Sequence, residues 1–255
     1  DGIPRIAATF RDTRYGKWML GAATGQLGLS VRDGRPVYQK LMMRAPVTLT
    51  MTMLALLASF ACAIPIGALS AWRRGGTLDS AILIALFAIY SVPTFLLAEG
   101  FHSLIVAYNG DSYGIILPVL ILTLGSLATL SRHQRASVLE VVSQDYIRAA
   151  HAKGLSAARV EIVHVLRNAM MPTVTLAALQ FPTLLGGAFV VEEVFGIRGM
   201  GWETLRAFEA RDAVWPVAVV LLAAVVTSVL LVFSDVTYSL LDPRVRESQS
   251  RGAAT

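Results

Sequence analysis

The stretch LTMTMLALLASFACAIPIGALSAW, Leu49 to Trp72, contains no charged residue and ends on Arg73-Arg74-Gly75-Gly76. A helix needs about 20 apolar residues to cross a hydrocarbon layer ~30 Å thick, so this run predicts a membrane span from about Pro46 to Trp72 with a basic stop signal behind it. Pro65 and Gly67 fall inside it, and both are tolerated in membrane helices when neighbouring helices or water satisfy the freed backbone groups. Cys62 lies in the same run. A lone cysteine in an apolar setting reads as packing, with neither a disulfide framework nor a metal cluster around it.

The rest of the chain repeats the pattern. A second span covers about Ser80 to Tyr108, broken at Ser91-Val92-Pro93, and a third covers Ile115 to Leu130 after the polar turn Asn109-Gly110-Asp111. A fourth runs from Ala169 to Val191 and a fifth from Ala213 to Phe233. Composition agrees: 55% of 255 residues are hydrophobic, 15% are charged, and the mean hydropathy is +0.60. A soluble domain carries about 25% charged residues. The expected fold class is therefore all-α, a polytopic membrane helix bundle with five spans in this chain. The net charge of +5 would point toward nucleic acid in a soluble protein, but here it reports basic loops, and membrane lipid is the expected surrounding.

The loops set the expected orientation. The stop signal, residues 131–168 and the tail carry 2, 6 and 3 Lys or Arg; on the other side the short turn, residues 192–212 and the first 45 residues carry 0, 3 and 8. That tally is a tie. Long polar segments cross largely regardless of charge, whereas short loops beside span ends carry the signal. Residues 131–168 are accordingly placed in the cytoplasm, with 1–45 an extracytoplasmic segment, 46–241 one transmembrane domain, 192–212 an extracytoplasmic loop and 242–255 a cytoplasmic tail.

Residues 131–168 are amphipathic and basic, and they read as a water-exposed loop of short helices. From Asp145 to Lys153 the residues are good helix formers, with Ala149 and Ala150 small enough for another surface to approach. Gly154 stops that helix as a left-handed terminus. Ser156 can cap a second helix toward Asn168, on which Val160, Val163 and Leu166 share a face. Such an elbow suits a lever docked on a cytoplasmic partner; an ordinary solvated basic loop is the other reading that pattern alone allows.

This loop resembles the Glu-Ala-Ala-Gly loop of permease subunits in ATP-binding-cassette importers, in the form found in the dipeptide, oligopeptide and nickel branch. That form looks like D-Y-x-R-x-A-x-A-K-G-L followed by H-x-L-R-N-A-x-x-P. The matching residues here are Asp145, Tyr146, Arg148, Ala150, Ala152, Lys153, Gly154 and Leu155, then His164, Leu166, Arg167, Asn168, Ala169 and Pro172. Three further stretches resemble the same family: Gly25 to Ser30 with Gly34-Arg-Pro-Val, Glu192 to Gly201, and Leu241 to Arg246. The departures are Gln26 for the usual Asp, Arg198 for a frequent Pro, Arg148 for the Glu of the general consensus and Arg167 for the Pro of the broader importer family. The last two follow the peptide-branch form. The family's amino-terminal first span is absent from the sequence, so six spans are expected in the native protein.

The resemblance implies a bacterial inner-membrane permease subunit that imports peptides, nickel complexes or related small solutes and carries no chemistry itself. It implies a second homologous permease subunit, two cytoplasmic ATP-binding subunits that hold ATP and Mg, and an extracytoplasmic solute-binding protein. The ATPase-coupling residues would be Asp145, Tyr146, Arg148, Ala149, Ala150, Lys153, Gly154, Leu155, Ser156 and Arg167. No cofactor is expected in this chain, which has no G-x-x-x-x-G-K-[ST] loop. Nor does it show a Ser-His, paired-Asp or metal-ligand set at membrane depth; His133, His151 and His164 are dispersed in the loop. Pro93, Glu99 and His102 are candidate pathway residues, although Glu99 and His102 also fit headgroup-depth polarity. Pro65, Pro93 and Pro182 are candidate kinks. The acidic pair Glu192-Glu193 is expected to be solvated. The rival function is a channel or secondary transporter with no ATPase partner, which has no need of the elbow.

Overall fold

The computed structural model of the chain describes residues 13–109 and 114–241. The turn at Gly110-Asp111 and the tail 242–255 lie outside the described residues. The described residues form helices α1 (Arg14–Ala23), α2 (Val37–Trp72), α3 (Thr77–Ser91), α4 (Thr94–Asn109), α5 (Ile116–Val142), α6 (Asp145–Ala152), α7 (Ala157–Val194), α8 (Met200–Glu209) and α9 (Val214–Leu241). In lipid the backbone must satisfy its own polar groups, and continuous helices do so. Helices α2, α5, α7 and α9 are each long and apolar enough to cross a membrane. The pair α3–α4, bent by 89°, makes a fifth span if counted as one. The bend falls where expected: Pro93 cannot donate to a helix ladder and pushes Val92 to an extended conformation.

Two spans are longer on the elbow side than the hydropathy pattern indicates. The third was expected to end at Leu130, yet α5 continues to Val142; the fourth was expected to begin at Ala169, yet α7 begins at Ala157. No Gly or Pro occurs between Ser126 and Lys153, so the loss of hydrophobicity at Ser131 changes the surroundings of α5 without stopping it. Gln134, Ser137 and Val138 are buried on its inner face. Instead of a loop of short helices, the segment 131–168 holds two helix extensions and one separate helix, α6.

Among the described residues helix α2 packs most extensively on α5, and α7 packs on both. Because lipid is as apolar as a leucine side chain, small and polar residues mediate such contacts. Gly67 of α2 lies against the α5 backbone at Ser131 and Arg135. The Ser59 hydroxyl lies 2.5 Å from that of Ser126 and donates to the Thr123 carbonyl. The Thr173 hydroxyl of α7 donates to Gln134 Oε1 at 2.7 Å. Near the elbow, Asp79 at the start of α3 accepts two hydrogen bonds from the Arg135 guanidinium, at 3.0 and 2.8 Å, and one from the Ser70 hydroxyl. Large apolar side chains on α9, among them Val220, Val225, Val229 and Phe233, face outward, as lipid contact requires. Cys62 is also exposed on α2.

Candidate functional site

Helix α6 ends by a Schellman arrangement. Gly154 adopts φ +78°, its N–H donates to the His151 carbonyl at 2.9 Å, and the Leu155 N–H reaches back to the Ala150 carbonyl at 3.4 Å. That is the left-handed terminus expected at Gly154. Ile147 is buried, and Ala150 and Leu155 pack beside it on a cluster of Ala68, Ala71, Val138, Val160, Val165 and Ala169. The elbow is thus fixed to the ends of α2, α5 and α7. Its outer face presents Asp145, Arg148, Ala149, Ala152, Lys153 and Ser156, while Ala150 is half-buried. Of the two alanines expected to face a partner, Ala149 does so; Ala152 is the second exposed small residue.

Other elbow residues differ in detail from the expectation. Ser156 stands at the N-cap of α7 with extended dihedrals, but its side chain makes no capping hydrogen bond. Val160–Leu166 form a π-helical stretch, in which hydrogen bonds link residues five apart. The buried pair is therefore Val160 and Val165, and Val163, assigned to the same face on an α-helical repeat, is half-exposed. The Tyr146 hydroxyl accepts from Asn168 Nδ2 at 2.9 Å, tying α6 to α7. Arg148 pairs with Asp145 at 3.3 Å, an exposed pair of little energetic weight. Arg167 is exposed on the first turn beyond the π stretch.

A cleft of about 300 Å³ with a mixed polar and apolar lining opens within the membrane-spanning part, between Tyr90, Thr94, Gly125, Ser126, Thr129, Gln180, Thr183 and Gly187 together with Leu122 and Leu184. The break at Pro93 brings Tyr90, on the last turn of α3, and Thr94, on the first turn of α4, to one wall; α5 and α7 form the others. Glu99 and His102 do not line it. Glu99 is exposed, and the His102 ring packs edge-on against Phe195 at 5.1 Å. The sequence signal for the cleft was the i, i+3 spacing of Ser126 with Thr129 and of Gln180 with Thr183 inside apolar runs, which hydropathy averages away.

At the end opposite the elbow the structure brings residues 28–44 onto α8 and the start of α9. Lys40 Nζ lies 2.8 Å from Glu203, 3.1 Å from Asp33 and 3.1 Å from the Ser30 hydroxyl. Ser30 in turn donates to Asp212 at 2.5 Å. Glu192 was expected to be solvated and is fully buried. It accepts from the Thr48 hydroxyl and from the Trp202 N–H, so it caps the start of α8, which no sequence spacing signals. Glu193 pairs with Arg206 at 3.0 Å. Among the described residues no group of three or more His, Cys, Asp or Glu is placed to hold a metal.

Burial pushes the Asp212 carboxyl up, but the Ser30 hydroxyl and the N–H groups of Val31, Val214 and Trp215 outweigh it and hold the carboxyl below its ordinary value. A depressed folded value stabilises the contact above the unfolded value, near pH 4, and the stabilisation disappears as pH falls through the folded one. Hydrogen exchange at Ser30 and Val31, corrected for intrinsic rates, is expected to accelerate below about pH 4 and to stay level from about pH 5 to 8.

A set of apolar helices long enough to cross a membrane, with a cleft among them and an exposed helical elbow at one end, defines a polytopic helical membrane protein. The family model for the binding-protein-dependent transport system inner membrane component matches residues 63–247. The oligopeptide transport system permease protein AppB of Bacillus subtilis (strain 168) is 32% identical over 91% of this chain and 79% of its own length. The dipeptide transport system permease protein DppB of Escherichia coli (strain K12) is 32% identical over 92% of this chain and 81% of its own. A chain of the methionine transporter MetNI, solved in inward-facing conformations, shares the fold with TM-score 0.65 at 20% identity, over 79% of this chain and 96% of that one. The chain belongs to the binding-protein-dependent inner-membrane permeases, in the peptide branch of ATP-binding-cassette importers, and is a multi-pass protein of the bacterial inner membrane.

Proposed function

We propose that this chain forms half of a peptide translocation pathway and receives work from a cytoplasmic ATPase through helix α6. The observation that carries this reading is the continuity of α7. One helix runs from Ala157 in the elbow to Val194 and carries Gln180, Thr183 and Gly187 of the cleft wall on the way. A push on α6 would reach the cleft through Ile147, Val160 and Val165 without crossing a loop, so closure of the ATPases would rock one wall against the other. The outward face of Arg148, Ala149, Ala152 and Lys153 is the ATPase-docking surface, in the cytoplasm. The cluster at Lys40, Glu203 and Asp212 lies extracytoplasmically, where the solute-binding protein docks. A second permease subunit completes the cleft. The names of the similar permeases favour peptides over nickel complexes as cargo.

The test is to replace Cys62 by Ser, introduce Ala149→Cys, and purify the chain with its partners from the native host. A thiol-reactive photo-crosslinker attached at Ala149→Cys is expected on illumination to join the chain to an ATPase subunit and to leave the cysteine-free parent unlinked. The isolated chain is expected to hydrolyse no ATP. Hydrolysis by the assembled complex should rise when the peptide-loaded receptor is added. A complex that lacks any ATPase, yet moves solute, would return the chain to the secondary-transporter reading.

A further inference from the structure

Helix α5 presents Ser126, Thr129 and Arg132 at i, i+3 and i+6, a stripe that winds about 120° around the helix toward its elbow end. Ser126 and Thr129 line the cleft, and Arg132 extends the stripe at its elbow end. The pairing of Thr173 with Gln134 and the contact of Gly187 with Leu122 show that α5 and α7 run antiparallel, so Gln180 lies at the level of Thr129, one turn from Arg132. The Arg132 side chain turns back along α5 toward the cleft: its Nε donates to the Ala128 carbonyl at 3.2 Å, and its Cζ stands 4.9 Å from the centre of the Tyr90 ring, itself a cleft residue. Among the described residues no carboxylate forms an ion pair with Arg132, whereas Arg135, one turn on, is held by Asp79.

We infer that Arg132, held over Tyr90, is a subsite for the carboxylate of the transported solute. A guanidinium binds carboxylates through a planar fork of donors; with Nε engaged by the Ala128 carbonyl, stacking on an aromatic face still leaves the Nη1–Nη2 edge to receive one. An arginine serving only as a basic anchor would extend away from the bilayer to water and headgroups. This one is held against the ring of a cleft residue, Tyr90, and the cleft's own hydroxyls of Thr94, Ser126, Thr129 and Thr183 and its Gln180 amide carry no charge. Among the described residues Arg132 is a cation in contact with a lining side chain, the Tyr90 ring, and it offers the anionic end of a solute a match on this half of the cleft. The inference rests on the peptide-import reading and specifies which end of the peptide the cleft recognises.

The assembled complex, reconstituted in vesicles with its receptor and ATPases, is supplied with trialanine or with trialanine amide. The receptor is the same in every arm, so a change in the acid-to-amide uptake ratio between variants reports the permease. Arg132→Gln is expected to lower that ratio about tenfold, as loss of one charge-assisted pair would. Tyr90→Leu, which removes the ring without touching the charge, should lower it in the same direction and carries the test if the first variant fails to assemble. An unchanged ratio in the assembled variants overturns the subsite. A ratio that shifts in vesicles containing phosphatidylglycerol but not in pure phosphatidylcholine makes Arg132 a headgroup anchor and likewise overturns it. If the wild-type complex takes up neither peptide, the peptide reading itself fails, a result distinct from either.

Discussion

Replacing Gly154 by Pro is expected to abolish ATP-driven uptake while the chain still inserts in the membrane. At Gly154 φ is +78° and the N–H is engaged with the His151 carbonyl. Proline fixes φ near −65° and has no N–H, so it opposes both requirements, at a cost of ~3 kcal/mol or more. The loss falls on the terminus that turns α6 back onto Ile147, Leu155 and the start of α7, and not on a span. Gly154→Ala separates the causes. An added Cβ would meet nothing within 4 Å, so its cost is conformational alone, about 1–2 kcal/mol. Uptake in reconstituted vesicles should then fall in the order glycine, alanine, proline, with ATP hydrolysis persisting in the proline variant. Normal uptake by Gly154→Pro would remove the elbow from the coupling path.

The features that were legible in the sequence are local ones. The uncharged run Leu49–Trp72, the break at Pro93 and the turn at Gly154 each depend on a few neighbouring residues whose physical preferences are strong, and the structure places them where those preferences say. What was not legible depends on partners distant in the chain. Ser131–Val142 looks like loop because it is polar, yet Gln134 meets Thr173 and Ser137 is buried, so polarity there marks a buried contact. Glu192 reads as a solvated helix end until Thr48 and Trp202 surround it. Val163 was misassigned because the repeat changes from α to π at Val160, a change that no residue type announces. The cleft divides in the same way. Pro93 shapes the cleft through its own backbone, whereas the lining comes from Thr129, Gln180 and Thr183, mild polar residues that only the antiparallel pairing of α5 and α7 brings together.

Gly67→Val is expected to disrupt the bundle itself. A Cβ at Gly67 would sit 2.6 Å from the Ser131 carbonyl oxygen, 2.7 Å from Gln134 Cβ and 2.9 Å from the Arg135 nitrogen. Carbon contacts settle at about 3.5–4.0 Å, so α2 and α5 would have to separate by about 1 Å where they cross. Two of the three obstacles are backbone atoms, and no side-chain rotation removes them. Overpacking of this kind costs about 1–3 kcal/mol and occasionally more. Here the displacement would propagate, because α2 and α5 also share the Ser59–Ser126 contact, while Arg135 of α5 pairs with Asp79 of α3 and Gln134 bonds Thr173 of α7. Against a total stability of about 5–15 kcal/mol, the variant should unfold at a clearly lower temperature in detergent and lose its monodisperse elution. Gly100→Ala provides the contrast: Gly100 lies in helix α4 with nothing within 4 Å of an added Cβ, and alanine favours helix by ~1 kcal/mol, so that chain should be unchanged or more stable. If Gly67→Val melts with the wild type, the close crossing of α2 and α5 is not what holds the cleft walls together.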